Sequence, residues 1–149
     1  MHKISRYIAD FAHDNGVTVV IAGHNKLQKQ KANLGNANNQ TFVQLPFSSL
    51  LWMLRYKLNA YGIEFVCTEE SYTSKADFKA MDEMPVYGKE KAAPQFSGKR
   101  IHRGLYRHYD GSMGNADLNG AANILRKVFP KVNRWDSGCM DHPKIITIS

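Results

Sequence analysis

Val17-Thr18-Val19-Val20-Ile21-Ala22 is short, rich in β-branched residues and almost wholly apolar. A run of that kind suits a strand covered on both faces, as in a parallel sheet. Gly23-His24-Asn25 ends it. The segment before it has a different period. Ile4, Tyr7, Ile8 and Phe11 recur at i, i+3, i+4 and i+7, so residues 2–15 read as a helix with one apolar stripe, and Gly16 stops it.

Downstream the same alternation repeats. Pro46 opens a second helix on which Phe47, Leu50, Leu51, Leu54, Leu58 and Tyr61 keep helical spacing, and Gly62 closes it. Residues 63–68 form a second strand, followed at once by Glu69-Glu70. Residues 26–41 between these elements are polar and read as a solvated loop carrying Lys26, Lys29 and Lys31. Residues 75–114 hold Pro85, Pro94 and several glycines, and read as a long irregular insertion. Asn115 to Val128 reads as a last helix, stopped by Pro130, and residues 131–149 form a tail whose one clear feature is Ile145-Ile146. The order is helix, strand, helix, strand, insertion, helix. That order predicts an α/β fold, a mixed sheet flanked by helices. Two strands alone make a poor sheet, so further strands are expected elsewhere.

At 149 residues, 43% of them hydrophobic, the chain can bury one core and is not of disordered composition. Its 20 Lys and Arg against 13 Asp and Glu leave a charge of +7, which suits an anionic partner such as nucleic acid or an acidic membrane, unless it is ordinary surface charge. No apolar run reaches membrane-spanning length, and no signal-peptide pattern opens the chain, so a soluble cytoplasmic protein without a membrane partner is expected. Cys67 sits in an apolar run and reads as a buried thiol, and its distance in sequence from Cys139 argues against a disulfide scaffold. The chain has no C-x-x-C pair, no phosphate-binding P-loop and no G-x-S-x-G elbow.

Two groups of residues carry possible chemistry. Glu69 and Glu70 follow a strand and Asp117 opens a helix. Carboxylates beyond the carboxyl ends of parallel strands suit Mg²⁺ or Mn²⁺, which take oxygen ligands. The simpler alternative is a helix cap at Asp117 and solvated charges at the glutamates. The second group is Ser97-Gly98-Lys99-Arg100-Ile101-His102-Arg103-Gly104-Leu105-Tyr106-Arg107-His108-Tyr109. There Lys99, Arg100, Arg103 and Arg107 can meet phosphates and Tyr106 or Tyr109 can stack on a base, unless the stretch is only a solvated loop of a basic protein. His24 follows the first strand and is a weaker candidate.

Several segments in order carry a family resemblance. They include Ile21-Ala22-Gly23-His24-Asn25-Lys26, Tyr56-Lys57-Leu58, Thr68-Glu69-Glu70-Ser71-Tyr72-Thr73-Ser74-Lys75-Ala76, Phe96-Ser97-Gly98-Lys99-Arg100 and Asn115-Ala116-Asp117-Leu118-Asn119-Gly120-Ala121-Ala122-Asn123-Ile124. Over residues 1–130 the chain resembles the C-terminal half of TnpB/OrfB proteins of prokaryotic insertion sequences, relatives of the type V CRISPR effector nucleases. The resemblance implies an RNase H-like (RuvC-like) fold, a guide RNA and Mg²⁺- or Mn²⁺-dependent DNA cleavage. It places the last catalytic Asp on Asp117. The usual middle Glu falls on Gly23, so Glu69 or Glu70 is expected to replace it. Ala76 and Lys79 stand where zinc-carrying relatives have C-x-x-C, so no zinc is expected. The family's first catalytic Asp lies on a strand that would precede Met1. The chain is therefore expected to be a truncated or split member, missing the N-terminal strands, whose activity needs that Asp from a separate chain. The alternative is a cleavage-dead nucleic-acid-binding remnant or a decayed gene product.

Overall fold

The computed structural model describes residues 1–24 and 37–132, and the side chains of 1–24 and 47–132. The Lys26, Lys29 and Lys31 cluster, Cys139 and the Ile145-Ile146 run lie outside the described residues. The elements are α1 (His2–Asp14), β1 (Val19–Gly23), α2 (Ala37–Ala60), β2 (Glu64–Thr68), β3 (Lys99–His102), β4 (Leu105–Arg107), β5 (Met113–Asn115) and α3 (Ala116–Val128). The α/β expectation holds. The sheets, however, are two: a pair, β1-β2, and a three-stranded sheet in the order β3-β4-β5. The described chain falls into two compact units, residues 1–22 with 37–67, and residues 23–24 with 68–132.

In the first unit Glu64 N–H donates to the Thr18 carbonyl at 3.0 Å, at the start of both strands. In the second, His24 N–H donates to the Thr68 carbonyl at 2.7 Å, at the end of both strands. Starts lie with starts and ends with ends, so β1 and β2 run parallel, but β1 is only half-buried up to Gly23 and not covered on both faces. The core of the first unit gathers Ala9, Ala12, Leu54, Leu58 and Ile63, with Ile8, Val17, Val20, Leu50 and Phe65 against it.

α1 does not bury the stripe that its spacing suggests. It buries Ser5, Ala9 and Ala12, while Ile4 is 42% and Phe11 48% exposed. Small residues on the inner face let α2 come close, and buried Lys57 uses that closeness: its Nζ donates to Ser5 Oγ at 2.7 Å and to the His2 carbonyl at 2.8 Å. α2 begins at Ala37, ahead of Pro46, because residues 37–45 contain no glycine or proline to stop it. Cys67 is exposed rather than buried, since a two-stranded sheet leaves part of β2 uncovered.

The second unit orders the stretch that reads as irregular. β3 pairs antiparallel with β4, and β4 with β5. Strands of three or four residues with several cations leave no alternation to detect. Two glycines in this sheet answer to close packing. A Cβ on Gly98 would stand 2.5 Å from the Tyr106 ring, and one on Gly114 would stand 2.7 Å from His108 Nε2. α3 supplies the other wall, packing Leu118 and Ala122 on Phe78.

Candidate functional site

α3 is fastened to the Thr73–Phe78 turn by two buried asparagines one helical turn apart. Asn119 Oδ1 accepts from Phe78 N–H at 3.0 Å, and its Nδ2 donates to the Ala76 carbonyl at 2.9 Å. Asn123 Nδ2 donates to the carbonyls of Thr73 (3.0 Å) and Ala76 (2.7 Å). The turn is held from its other side by two aspartates. Buried Asp77 accepts from Lys79 N–H (2.9 Å), Tyr109 N–H (2.6 Å) and His108 Nδ1 (2.7 Å). Asp82 accepts from Asp77 N–H and Ser97 N–H at 2.8 Å each, and from Ser97 Oγ at 2.6 Å. Asp77, Asp82, His108, Asn119 and Asn123 are thus the residues on which the site's geometry rests. Sequence reasoning passed over them, although two asparagines four apart on one helix face were a usable signal.

The two adjacent glutamates have different surroundings. The strand ends at Thr68, so alternation no longer decides where they point. Glu69 is engaged: Oε1 accepts from Lys127 Nζ, and Oε2 accepts from Ser71 N–H at 2.8 Å. Partial burial acts to raise the Glu69 carboxyl, but the hydrogen bonds from Lys127 and Ser71 outweigh it and hold it below the ordinary value. Glu70 lies over the end of β1. A Cβ on Gly23 would meet Glu70 Oε2 at 2.7 Å, Glu70 Cβ at 3.1 Å and Ile124 Cδ1 at 2.8 Å. The Glu70 carboxylate therefore occupies the space into which a side chain on residue 23 would project.

Asp117 sits in the first turn of α3, but it is not the cap. Asn115 is, its Oδ1 accepting from Asp117 N–H at 2.9 Å and Leu118 N–H at 3.0 Å. The Asp117 side chain is 79% exposed, and Arg100 Nη2 lies 3.6 Å from its Oδ1. Asp117 shares a helix face with Ile124, about 10 Å further toward the N-terminus at 1.5 Å per residue. Among the described residues, no three His, Cys, Asp or Glu side chains gather to hold a metal ion.

The register of the three-stranded sheet sorts the basic stretch. Lys99 stands opposite Arg107, and Arg107 opposite Met113, while Arg100 stands opposite Tyr106, and Tyr106 opposite Gly114. Lys99, Arg107 and Met113 share one exposed face. Arg103 is exposed between β3 and β4. Among the described residues no carboxylate pairs with Lys99, Arg103 or Arg107. Tyr106 is not available for stacking: it is fully buried, its hydroxyl donates to the Lys75 carbonyl at 2.7 Å, and burial pushes its phenol above the usual tyrosine value. Between them, buried Tyr106 and ion-paired Arg100 leave the outward row to Lys99 and Arg107.

Fold and site together describe an α/β protein with carboxylates at a strand end and a cationic sheet face. Residues 47–124 match the family model described as Cas12f1-like, TNB domain. The match spans just over half of the chain and takes in Glu69, Glu70, the basic sheet and Asp117, and the chain belongs to that TnpB/Cas12-like family. No curated protein matches it. No helix among the described residues is long and apolar enough to cross a membrane.

Proposed function

We propose that this chain is a nucleic-acid-binding segment of a TnpB/OrfB-type, RuvC-like DNA endonuclease, and that Glu70 takes the place of the carboxylate missing at residue 23. The placement of Glu70 Oε2 in the side-chain space of Gly23 carries the reading. Glu69, held by Lys127 and Ser71, serves structure instead. Asp117 is open to a ligand because Asn115 does the capping.

Mg²⁺ or Mn²⁺ would be the metal of such a site, since both prefer oxygen donors. The described residues alone do not fit a complete centre, because no three candidate ligands stand together. In this reading a further carboxylate comes from outside the described residues, and no step of cleavage is assigned to Glu70 and Asp117 by themselves. The same observation favours a second reading, a nucleic-acid-binding protein that does not cut.

Binding rests on Lys99, Arg103 and Arg107. Like charges opposite each other across strands are unfavourable, and a phosphate laid over Lys99 and Arg107 removes that cost. DNA and a guide RNA both offer that chemistry. Arg100 alternates to the other face of the sheet, beside Tyr106, where it pairs with Asp117. The insertion orders itself without zinc in this reading, through Asp77 and Asp82.

Two measurements test the proposal. DNA affinity is expected to fall steeply with salt, with a log–log slope shallower by about 1 for each of Lys99→Ala and Arg107→Ala. Substoichiometric Mn²⁺ is expected to broaden the amide resonances of Gly23, His24 and Glu70 selectively, in wild type and Glu69→Gln but not in Glu70→Gln. A flat salt response removes the binding role. Broadening that follows Glu69 instead removes Glu70 from the site.

A further inference from the structure

With Tyr106 buried, any stacking by this unit has to come from another ring, and the structure offers a built one. Val86-Tyr87-Gly88-Lys89 is a tight turn: Lys89 N–H donates to the Val86 carbonyl at 3.0 Å and Gly88 has φ +80°. Tyr87 is not among the residues of positive φ, so the turn is type II with Tyr87 at its first corner, where a side chain is displayed outward. The Tyr87 N–H donates to buried Ser71 Oγ at 3.1 Å, which fixes the turn to the protein.

The ring is 58% exposed and is supported from behind. Its centroid lies 6.1 Å from that of Tyr72, which in turn lies 5.6 Å from that of Phe96. Tyr72 is locked at both ends. Its hydroxyl donates to Glu90 Oε1 at 2.5 Å, and its backbone holds φ +64°, a conformation that a bulky residue adopts only at a cost. Lys75 Nζ lies 6.0 Å from the Tyr72 centroid, and Lys89 and Lys91 follow Tyr87 within four residues of chain; all three lysines are exposed. The nearby acid, Glu90, is turned onto the Tyr72 hydroxyl.

We infer that Tyr87 is a stacking platform for an unpaired nucleobase, with Lys75, Lys89 and Lys91 receiving the phosphates on either side. A residue whose backbone is fixed before binding and whose ring already has a neighbour loses less freedom when a base lies on it. Only single strands and loops present a free base face, so the ligand is single-stranded nucleic acid rather than duplex. This site rests on the nucleic-acid reading above and adds a second contact region to the Lys99–Arg107 face.

The test uses a single-stranded oligonucleotide carrying one 2-aminopurine, whose fluorescence is quenched by stacking, beside a duplex of the same length. Tyr87→Ala is expected to weaken single-strand affinity about tenfold and to abolish the quench, leaving duplex affinity and the salt slope unchanged. Tyr87→Phe is expected to behave as wild type, because the ring and not the hydroxyl carries the contact. Wild-type binding and quench in Tyr87→Ala overturn the platform, as does an equal loss on duplex with unchanged circular dichroism. Failure of the wild-type chain to bind any nucleic acid in a salt-dependent way overturns the parent reading instead.

Discussion

Glu70 and Gly23 share one space: the carboxylate of the first lies where a side chain on the second would begin, with Oε2 2.7 Å from an ideal Cβ position. The carboxylate can stay there only while residue 23 carries no side chain. A Gly23→Ala chain has to displace the Glu70 side chain and shift Ile124.

Gly23→Ala is therefore expected to destabilise by about 1 kcal/mol, the low end for overpacking, because the atoms met most closely, Glu70 Oε2 and Ile124 Cδ1, are the ends of flexible side chains. In a Glu70→Ala background part of the obstruction is already gone. The two changes should then couple by about 0.5 kcal/mol or more in a double-mutant cycle of urea unfolding. Strict additivity would mean that Glu70 does not fill the space beside Gly23.

Asp77 carries a larger expectation. Its side chain and that of His108 are both wholly buried, and three donors converge on its carboxylate. Asp77→Asn keeps the shape but turns an NH₂ toward one of those donors. The expected loss is about 3 kcal/mol, the scale for removing one partner of a buried pair. Hydrogen exchange is the better readout, since protection should fall first at Tyr109 and Lys79. Unchanged protection there would show that the turn is held by something other than Asp77.

How much of this was legible in sequence depends on range. β1, β2 and α3 were readable because each carries its own period or an apolar run of the right length. The β3–β5 sheet was not, because Lys99-Arg100-Ile101-His102 has no alternation and its order comes from distant partners: Tyr106 lying over Gly98, and Asp77 reaching His108 and Tyr109. The α1 stripe misled for a related reason. Ile4 and Phe11 have the helical spacing of a buried face, but the close approach of α2 and the reach of Lys57 to Ser5 favour the small-residue face. Among candidate site residues, Glu69, Glu70 and Asp117 could be nominated from position. Choosing between the glutamates needed Lys127, which stands far along the chain from Glu69.

Glu69 gives a pH dependence of definite sign. Its carboxyl is held below the ordinary value of 4.5 in the folded chain. The pairing therefore contributes stability at pH above that value, and the contribution is lost as pH falls through the lower folded value. Glu69→Gln is expected to unfold at lower urea than wild type near pH 7, by a gap of about 0.5 kcal/mol for a pair whose Glu69 side chain is more than a third exposed. The gap should hold down to about pH 5 and close below the folded value. A gap that persists at pH 2 would assign the difference to packing and not to charge.

Asn115 and Asp117 stand two residues apart at the start of α3, and their substitutions should separate stability from function. Asn115 Oδ1 receives both free N–H groups of the first turn, so Asn115→Ala is expected to cost about 1 kcal/mol. Asp117 receives none of them, and its side chain is largely exposed. Its remaining structural contributions are the exposed pairing with Arg100 and a favourable place near the helix N-terminus, each worth only about 0.2–0.3 kcal/mol at so exposed a site. Asp117→Asn should therefore leave the thermal midpoint within a degree or two of wild type. In a complex that cuts DNA, the same change should abolish cleavage while leaving DNA affinity in place. If Asp117→Asn unfolds the chain as readily as Asn115→Ala, the carboxylate is part of the helix start. If it leaves both stability and cleavage intact, Asp117 has no part in the chemistry.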